Sequence, residues 1–61
     1  MTVYFVSCPR FTVRVETDEA GVIRRAAPVV RKFQGQNLNN LLRWAERFGG
    51  VRVARLGEVA G

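Results

Sequence analysis

A short segment before the longest helical pattern brings together the residue types that bind anions. Arg31 and Lys32 are adjacent cations, and Gly35 allows a tight turn before a helix that begins at Asn37. A helix N-terminus presents unpaired backbone N–H groups and the positive end of the helix dipole. The spacing predicts a site for a phosphate-like anion formed by Arg31, Lys32, Gly35, Gln36 and Asn37. An ordinary glycine connection between two helical pieces fits the same residues, and no Walker or dinucleotide-binding motif decides between the two.

A second cationic set lies on the predicted strands. Arg14, Arg24 and Arg25 would contact phosphates of DNA or RNA, and three strand aromatics could stack on bases: Tyr4, Phe5 and Phe11. If Thr17 and Val22 flank the hairpin turn, Arg14 lies directly opposite Arg25, and like charges in that position repel each other. A solvated face on which Glu16 offsets the repulsion is the alternative interpretation. No helix-turn-helix or RNA-recognition consensus is present.

Trp44 suggests a third kind of contact. It lies at the edge of the apolar stripe of the predicted helix, where we expect it to be only partly buried. A half-exposed tryptophan is a residue type enriched where proteins dock. Trp44 and its helix are therefore a candidate contact with a partner protein, such as a host protein that this chain inhibits.

The inventory of reactive side chains argues against an enzyme. The chain has no histidine, one aspartate (Asp18), one serine (Ser7) and one cysteine (Cys8). No nucleophile has a base positioned to activate it, and no Cys or His cluster has the spacing of metal ligands. We therefore expect neither catalytic residues, nor a metal, nor a cofactor.

The first half of the chain is patterned as strands. Thr2–Ser7 is apolar on both faces and is predicted to be buried on both sides, whereas Phe11–Thr17 alternates between an apolar and a polar face. Asp18–Gly21 is a hairpin connection ending in glycine, and Val22–Ala27 returns as the partner strand.

The second half adds helical turns and a last strand. The segment 27–33 fits either an extension of the third strand or a helical turn opened by Pro28, and we favour the turn. Asn37–Phe48 is predicted to be an amphipathic helix that Gly49 terminates. Val51–Leu56 alternates as a strand, and 57–61 is a short tail. The apolar stripe of the helix comprises Leu38, Leu41, Leu42, Ala45 and Phe48.

These elements predict one small α+β domain over residues 1–61, an antiparallel sheet (β-β-β-turn-α-β) with one helix packed on it. A chain of 61 residues buries little surface and is only marginally stable without a disulfide or a metal. We therefore expect self-association to supply the missing stability, in a homo-oligomer. The net charge of +5 favours anionic partners. No secretory leader and no apolar run of about 20 residues is present, so we expect no membrane span and a cytoplasmic location.

Residues 29–36 (Val-Val-Arg-Lys-Phe-Gln-Gly-Gln), followed by Leu41–Ala45, resemble a group of short bacteriophage proteins. These proteins share an Ala-Pro-hydrophobic-hydrophobic-Arg-Lys/Arg-Phe-x-Gly-Gln segment and a Leu-x-x-Leu-hydrophobic-x-Trp helix, a pattern that here spans residues 27–50. The relatives often have proline where this chain has Asn37, which changes the helix cap but not the helix. The resemblance implies an accessory role in an infected bacterial cell, such as host takeover or blocking of host defence, and implies no reaction.

Together, the residues and the resemblance predict a non-enzymatic phage accessory protein that binds an anionic small molecule. Its sharpest form is a counter-defence protein that sequesters a nucleotide-type signal. The alternatives are a small basic protein that binds DNA or RNA, and an inhibitor that docks on a host protein.

Overall fold

Four strands form a single antiparallel sheet in the computed structural model, which describes residues 1–58. The strands are β1 (Thr2–Cys8), β2 (Phe11–Thr17), β3 (Ile23–Ala26) and β4 (Arg52–Glu58), and they lie in the order β3-β2-β1-β4. One α-helix, α1 (Leu38–Glu46), packs on one face of the sheet. The predicted α+β architecture is therefore confirmed.

Alternation along β1 and β2 decides which face of the sheet is buried. Val6 lies opposite Val13 and Tyr4 opposite Val15, and directly paired residues of antiparallel strands share a face. Val6, Val13 and Val15 join Leu41 of α1 in the core, so this is the face that the helix covers. The remaining buried members of the core are Ile23, Val30 and Phe33. Burial of these side chains is the main contribution to the stability of so small a sheet.

The opposite face of the sheet, which we call the open face, is less buried than the sequence predicted. Burial of β1 on both sides was expected, but Phe5 is 41% exposed on the open face although Val3 on the same face is buried. Alternation could not distinguish the two faces of β1, because its residues are apolar or aromatic at both sets of positions.

The hairpin between β2 and β3 differs from the predicted register. Asp18 N donates to Val22 O (3.0 Å), so Asp18 and Val22 close the turn in place of Thr17 and Val22. The register then shifts once more between Glu16 and Thr17, where β3 carries one extra residue. Arg25 consequently lies opposite Glu16. The predicted pairing of Arg14 with Arg25 was wrong.

Two helical elements connect β3 to β4. A 3₁₀ helix covers Pro28–Phe33, with Pro28 as its first residue, which confirms the predicted helical turn. Helix α1 is shorter than the predicted 37–48: Asn37 is its N-cap, and after Glu46 the chain continues in looser turns. Those turns are held by hydrogen bonds such as Phe48 N to Ala45 O (3.1 Å). They end at Gly49, whose φ of 110° agrees with the predicted stop.

Strand β4 forms one edge of the sheet, and it is shifted by one or two residues from the predicted strand at 51–56. Its pairing with β1 places Val53 opposite Val6 on the covered face and Ala54 opposite Phe5 on the open face, which confirms the alternation. Residues 59–61 of the predicted tail lie outside the described residues. Within 1–58, no helix has the length and apolar character needed to cross a membrane.

Candidate ligand-binding surfaces

Gly35 and Gln36 join the connection before α1 to strand β3. Gly35 has a φ of 89°, a conformation that side-chain-bearing residues adopt with strain. Its N–H donates to Ile23 O (2.7 Å), and Ile23 N donates to Gln36 O (2.8 Å). The side chain of Gln36 donates from Nε2 to Lys32 O (3.2 Å) and accepts at Oε1 from Asn40 Nδ2 (3.3 Å). The turn is therefore held by bonds within the chain.

The N–H groups at the start of α1 also have acceptors within the chain. Leu38 N donates to Gly21 O (2.9 Å), Asn39 N to Asn37 Oδ1 (2.9 Å) and Asn40 N to Asn37 O (3.0 Å). These groups would have to hold an anion at a helix N-terminus. In this conformation they are not free to do so. Gly35, Gln36 and Asn37 serve as a junction and a cap.

The two cations of the predicted anion site have different surroundings. Lys32 turns toward α1, where its Nζ lies 4.3 Å from the centre of the Trp44 ring and 5.4 Å from that of Phe33. Arg31 is exposed. The structure therefore places Lys32 beside the surface of α1.

Trp44 is the centre of an aromatic cluster. Its ring centre lies 5.0 Å from that of Phe48, 5.3 Å from Phe33 and 5.7 Å from Phe11. The tryptophan is half-buried, as predicted. Phe11 stacks on the indole and Lys32 lies over it. The exposed large apolar side chains of residues 1–58 lie elsewhere: Phe5, Val29, Val53 and Leu56. The contact of Trp44 with a partner protein stays a prediction.

A shallow depression beside this cluster carries two unpaired arginines. Its volume is about 260 Å³, and we call it the helix groove; its lining residues are Phe33, Asn40, Arg43, Trp44 and Arg47. Arg43 and Arg47 are one helical turn apart, a spacing at which like charges repel. Within residues 1–58 neither forms an ion pair with a carboxylate. Sequence reasoning missed this pair because it treated the polar side of α1 as a solvated face.

The predicted cationic set on the strands is divided by the structure. Arg24 is tied to the hairpin, with Nε and Nη2 both 3.0 Å from Asp18 Oδ2. Arg14 and Arg25 instead flank Glu16, with Arg14 Nη2 3.9 Å from Glu16 Oε2. The register also brings Phe5 directly opposite Arg14 on the open face. Of the three strand aromatics, Tyr4 and Phe11 belong to the covered side and Phe5 to the open one.

Asp18 organises the hairpin through its carboxylate. Oδ1 accepts from Val22 N (3.0 Å) and Ala20 N (2.9 Å), while Oδ2 meets Arg24. The hydrogen bond from Val22, together with those from Arg24 and Ala20, lowers the pKa of Asp18 below its ordinary value. The hydroxyl of Thr2 and the guanidinium of Arg55 likewise lower the pKa of Glu58. Both groups have structural partners.

A depression of about 750 Å³ lies at this acidic end of the sheet. Asp18, Glu19 and Glu58 are among its lining residues. Three carboxylates make it unsuitable for the anion that the net charge favours. Among residues 1–58, no group of His, Cys, Asp or Glu side chains has the arrangement of a metal site.

Comparison with known proteins gives no relative: no family model, no curated protein and no solved structure matches the chain. The candidate surfaces are therefore interpreted from their own chemistry. Two of them, the helix groove and the open face, carry arginines beside an aromatic ring.

Proposed function

We propose that this protein binds a phosphate-bearing, nucleotide-type anion in the helix groove and acts by binding rather than by catalysis. The observation that supports this most is the pair Arg43 and Arg47, one turn apart beside Trp44 and with no carboxylate partner in the described chain. Helical neighbours of like charge cost roughly 0.2–0.5 kcal/mol of stability. An anion between the two guanidinium groups would remove that repulsion.

The chemistry of arginine suits a phosphate in such a place. A guanidinium presents several N–H donors in a planar fork that matches the oxygens of phosphate. Asn40 adds an amide to the same groove. Lys32, held above the Trp44 ring, contributes a third positive charge close by. The site lies next to the segment 31–37 predicted from the sequence, and Lys32 of that segment lies beside it. It uses the side chains of Arg43 and Arg47 in place of the N–H groups at the start of α1.

The biological role that fits such binding is sequestration of a nucleotide-type signal during infection, a counter-defence role. The support for it is the resemblance of residues 27–50 to short bacteriophage proteins and the lack of catalytic groups in the sequence. A protein that works in this way needs affinity and abundance but no turnover. The cytoplasm of an infected bacterium is the compartment where it would meet such a ligand.

Calorimetric titration at low salt tests the binding site. Pyrophosphate and ADP are the probes, and adenosine is the uncharged comparison. Arg43→Ala and Arg47→Ala should each weaken ADP binding about tenfold or more, because charge-assisted hydrogen bonds contribute roughly 1.5–3 kcal/mol each. Arg25→Ala removes the same charge from the open face and should leave the affinity nearly unchanged.

Two results would contradict the proposal. One is equal affinity for ADP and adenosine, which would mean that phosphate contributes nothing. The other is an equal loss in Arg25→Ala and Arg43→Ala, which would mean that only the net charge of the protein matters. Thermal melting of each variant confirms that it is folded before the affinities are compared.

A further inference from the structure

Phe5 is an aromatic ring presented to solvent on the open face. It is 41% exposed, although it lies on a strand with neighbours on both sides. Arg14 lies directly opposite on β2 and Ala54 directly opposite on β4. The side chain of Ala54 is a single methyl group, so no large side chain covers the Phe5 ring from the β4 side. An exposed ring in the middle of a sheet is the feature that needs explanation here.

The positions around Phe5 carry more cations than anions. Arg14, Arg25 and Arg52 occupy open-face positions on β2, β3 and β4, opposite Phe5, Glu16 and Ser7 respectively. Glu16 is the one carboxylate at the paired open-face positions of the described chain. Its distance of 3.9 Å from Arg14 is at the limit of an ion pair, and the Arg14 side chain is largely exposed. The face therefore has a net positive charge.

The arrangement extends across the whole width of the sheet. Arg25 and Arg52 lie on the two outer strands, roughly 14 Å apart across the sheet at about 4.8 Å per step, and on a diagonal, because Arg25 is level with Val3 of β1 and Arg52 with Ser7. Phe5 lies between them, on β1. Next to the ring on the same face, Ser7 and Thr12 form a hydroxyl pair at 3.0 Å.

We infer that the open face binds single-stranded nucleic acid, with a base stacked on Phe5 and the flanking phosphates at Arg14, Arg25 and Arg52. An aromatic ring among cations on a flat surface is the combination that single strands require, since every base has a face for stacking and every linkage has a charge. In a duplex the bases are already stacked on each other, so no base face is free to stack on Phe5. A second copy of the chain would set these three arginines against their own counterparts. This site shares no residue with the helix groove, so the two proposals fail or succeed separately.

Fluorescence anisotropy with a labelled dodecamer of deoxythymidine tests this site. Binding should weaken steeply as salt rises from 20 to 150 mM, because phosphate contacts release counterions. Arg14→Ala and Arg25→Ala should each reduce the slope of log affinity against log salt by about 0.7, the contribution of one phosphate contact on a single strand. Arg10→Ala removes the same charge at the Phe48 ring, where the Arg10 guanidinium lies 5.5 Å from the ring centre, outside both proposed sites, and should leave the slope unchanged.

Phe5 is tested by substitutions that separate its stacking from its bulk. Phe5→Leu keeps an apolar side chain of similar size and should lose about tenfold in affinity, whereas Phe5→Tyr keeps the ring and should bind as the parent does. A matching duplex should bind at least tenfold more weakly than the single strand.

Three outcomes overturn the inference. The first is no binding of the dodecamer at 20 mM salt. The second is an Arg10→Ala effect equal to that of Arg14→Ala. The third is a multimer that dissociates in Phe5→Leu, which would assign the face to a second copy of the chain. Thermal melts that superimpose for Phe5→Leu and Phe5→Tyr show that any difference in binding arises from the ring.

Discussion

The ammonium group of Lys32 lies 4.3 Å from the centre of the Trp44 ring, so a cation–π contact joins the 3₁₀ helix to α1. Contacts of this kind at exposed sites contribute about 0.5–1 kcal/mol. This one also fixes the position of a positive charge beside the helix groove. Its consequences can be measured separately from ligand binding.

We predict that Lys32→Ala lowers the free energy of unfolding by about 0.5–1 kcal/mol, because the ammonium no longer covers the indole. In a domain of this size that is a fall in Tm of several degrees. The fluorescence of Trp44, the one tryptophan of the chain, should also change. Arg31→Ala is the matched control: it removes the neighbouring exposed cation and should cost less than about 0.5 kcal/mol. Equal effects of the two variants would mean that the contact contributes no stability.

The packing of α1 predicts an order among its leucines. Leu41 is fully buried in the core, whereas Leu42 is half-buried. Leu41→Ala should therefore cost about 2–5 kcal/mol, enough to unfold so small a domain, and Leu42→Ala distinctly less. Asn40→Ala, on the outer side of α1, should stay within about 0.5 kcal/mol. Chemical denaturation of the three variants gives the order, and a Leu42→Ala variant less stable than Leu41→Ala would contradict the packing.

The hairpin should make stability depend on pH in the acid range. The folded state lowers the pKa of Asp18, chiefly through the hydrogen bond from Val22 N. A lowered folded-state pKa means that the ionised carboxylate stabilises the fold above the unfolded value near 3.8, and that this stability is lost as the pH falls through the folded value. The Tm should therefore fall below about pH 4, with Glu58 contributing in the same direction.

Asp18→Asn isolates the hairpin contribution, because an amide cannot titrate. Its Tm should fall less than that of the parent between pH 5 and pH 2, while remaining lower than the parent at pH 6, where the parent keeps its pair with Arg24. Glu19→Gln, one position along the same turn, provides the charge-matched control. If Asp18→Asn and the parent lose stability in parallel as the pH falls, the carboxylate does not contribute in this way.

Local signals in the sequence predicted the elements of this fold well. Pro28 opened a helical turn and Asn37 capped α1, because both residues act on backbone groups within a few positions of themselves. The alternation of β2 identified its buried face for a similar reason, since a strand exposes every second side chain to the same side.

The register of β3 and the hydrogen bonds at the start of α1 could not be predicted, because both depend on residues distant in the sequence. The register of β3 follows from the Asp18 turn and from the bulge beside Glu16, and no composition rule specifies where a bulge falls. At the start of α1, Leu38 N donates to Gly21 O in the hairpin, and Gly35 N, just before the helix, donates to Ile23 O on β3. The sequence therefore predicted an anion site at the start of α1, whereas the arginines of the helix groove, which form no ion pair within residues 1–58, are Arg43, within α1, and Arg47, its C-cap.

For the predicted homo-oligomer, we expect the interface to lie at the edge strand β4. Its outer side lies at the edge of the sheet, and its apolar side chains Val53 and Leu56 are 42% and 54% exposed. Exposed apolar side chains on an unpaired edge favour pairing with another chain.

Light scattering at micromolar concentration should therefore give a multiple of 6.9 kDa. Val53→Lys places a charge on this edge and should return the mass to that of one chain, whereas Val29→Lys, at a more exposed valine of the 3₁₀ helix, should leave the mass unchanged. A mass of one chain for the parent protein would refute self-association, and a multimer insensitive to Val53→Lys would place the interface elsewhere.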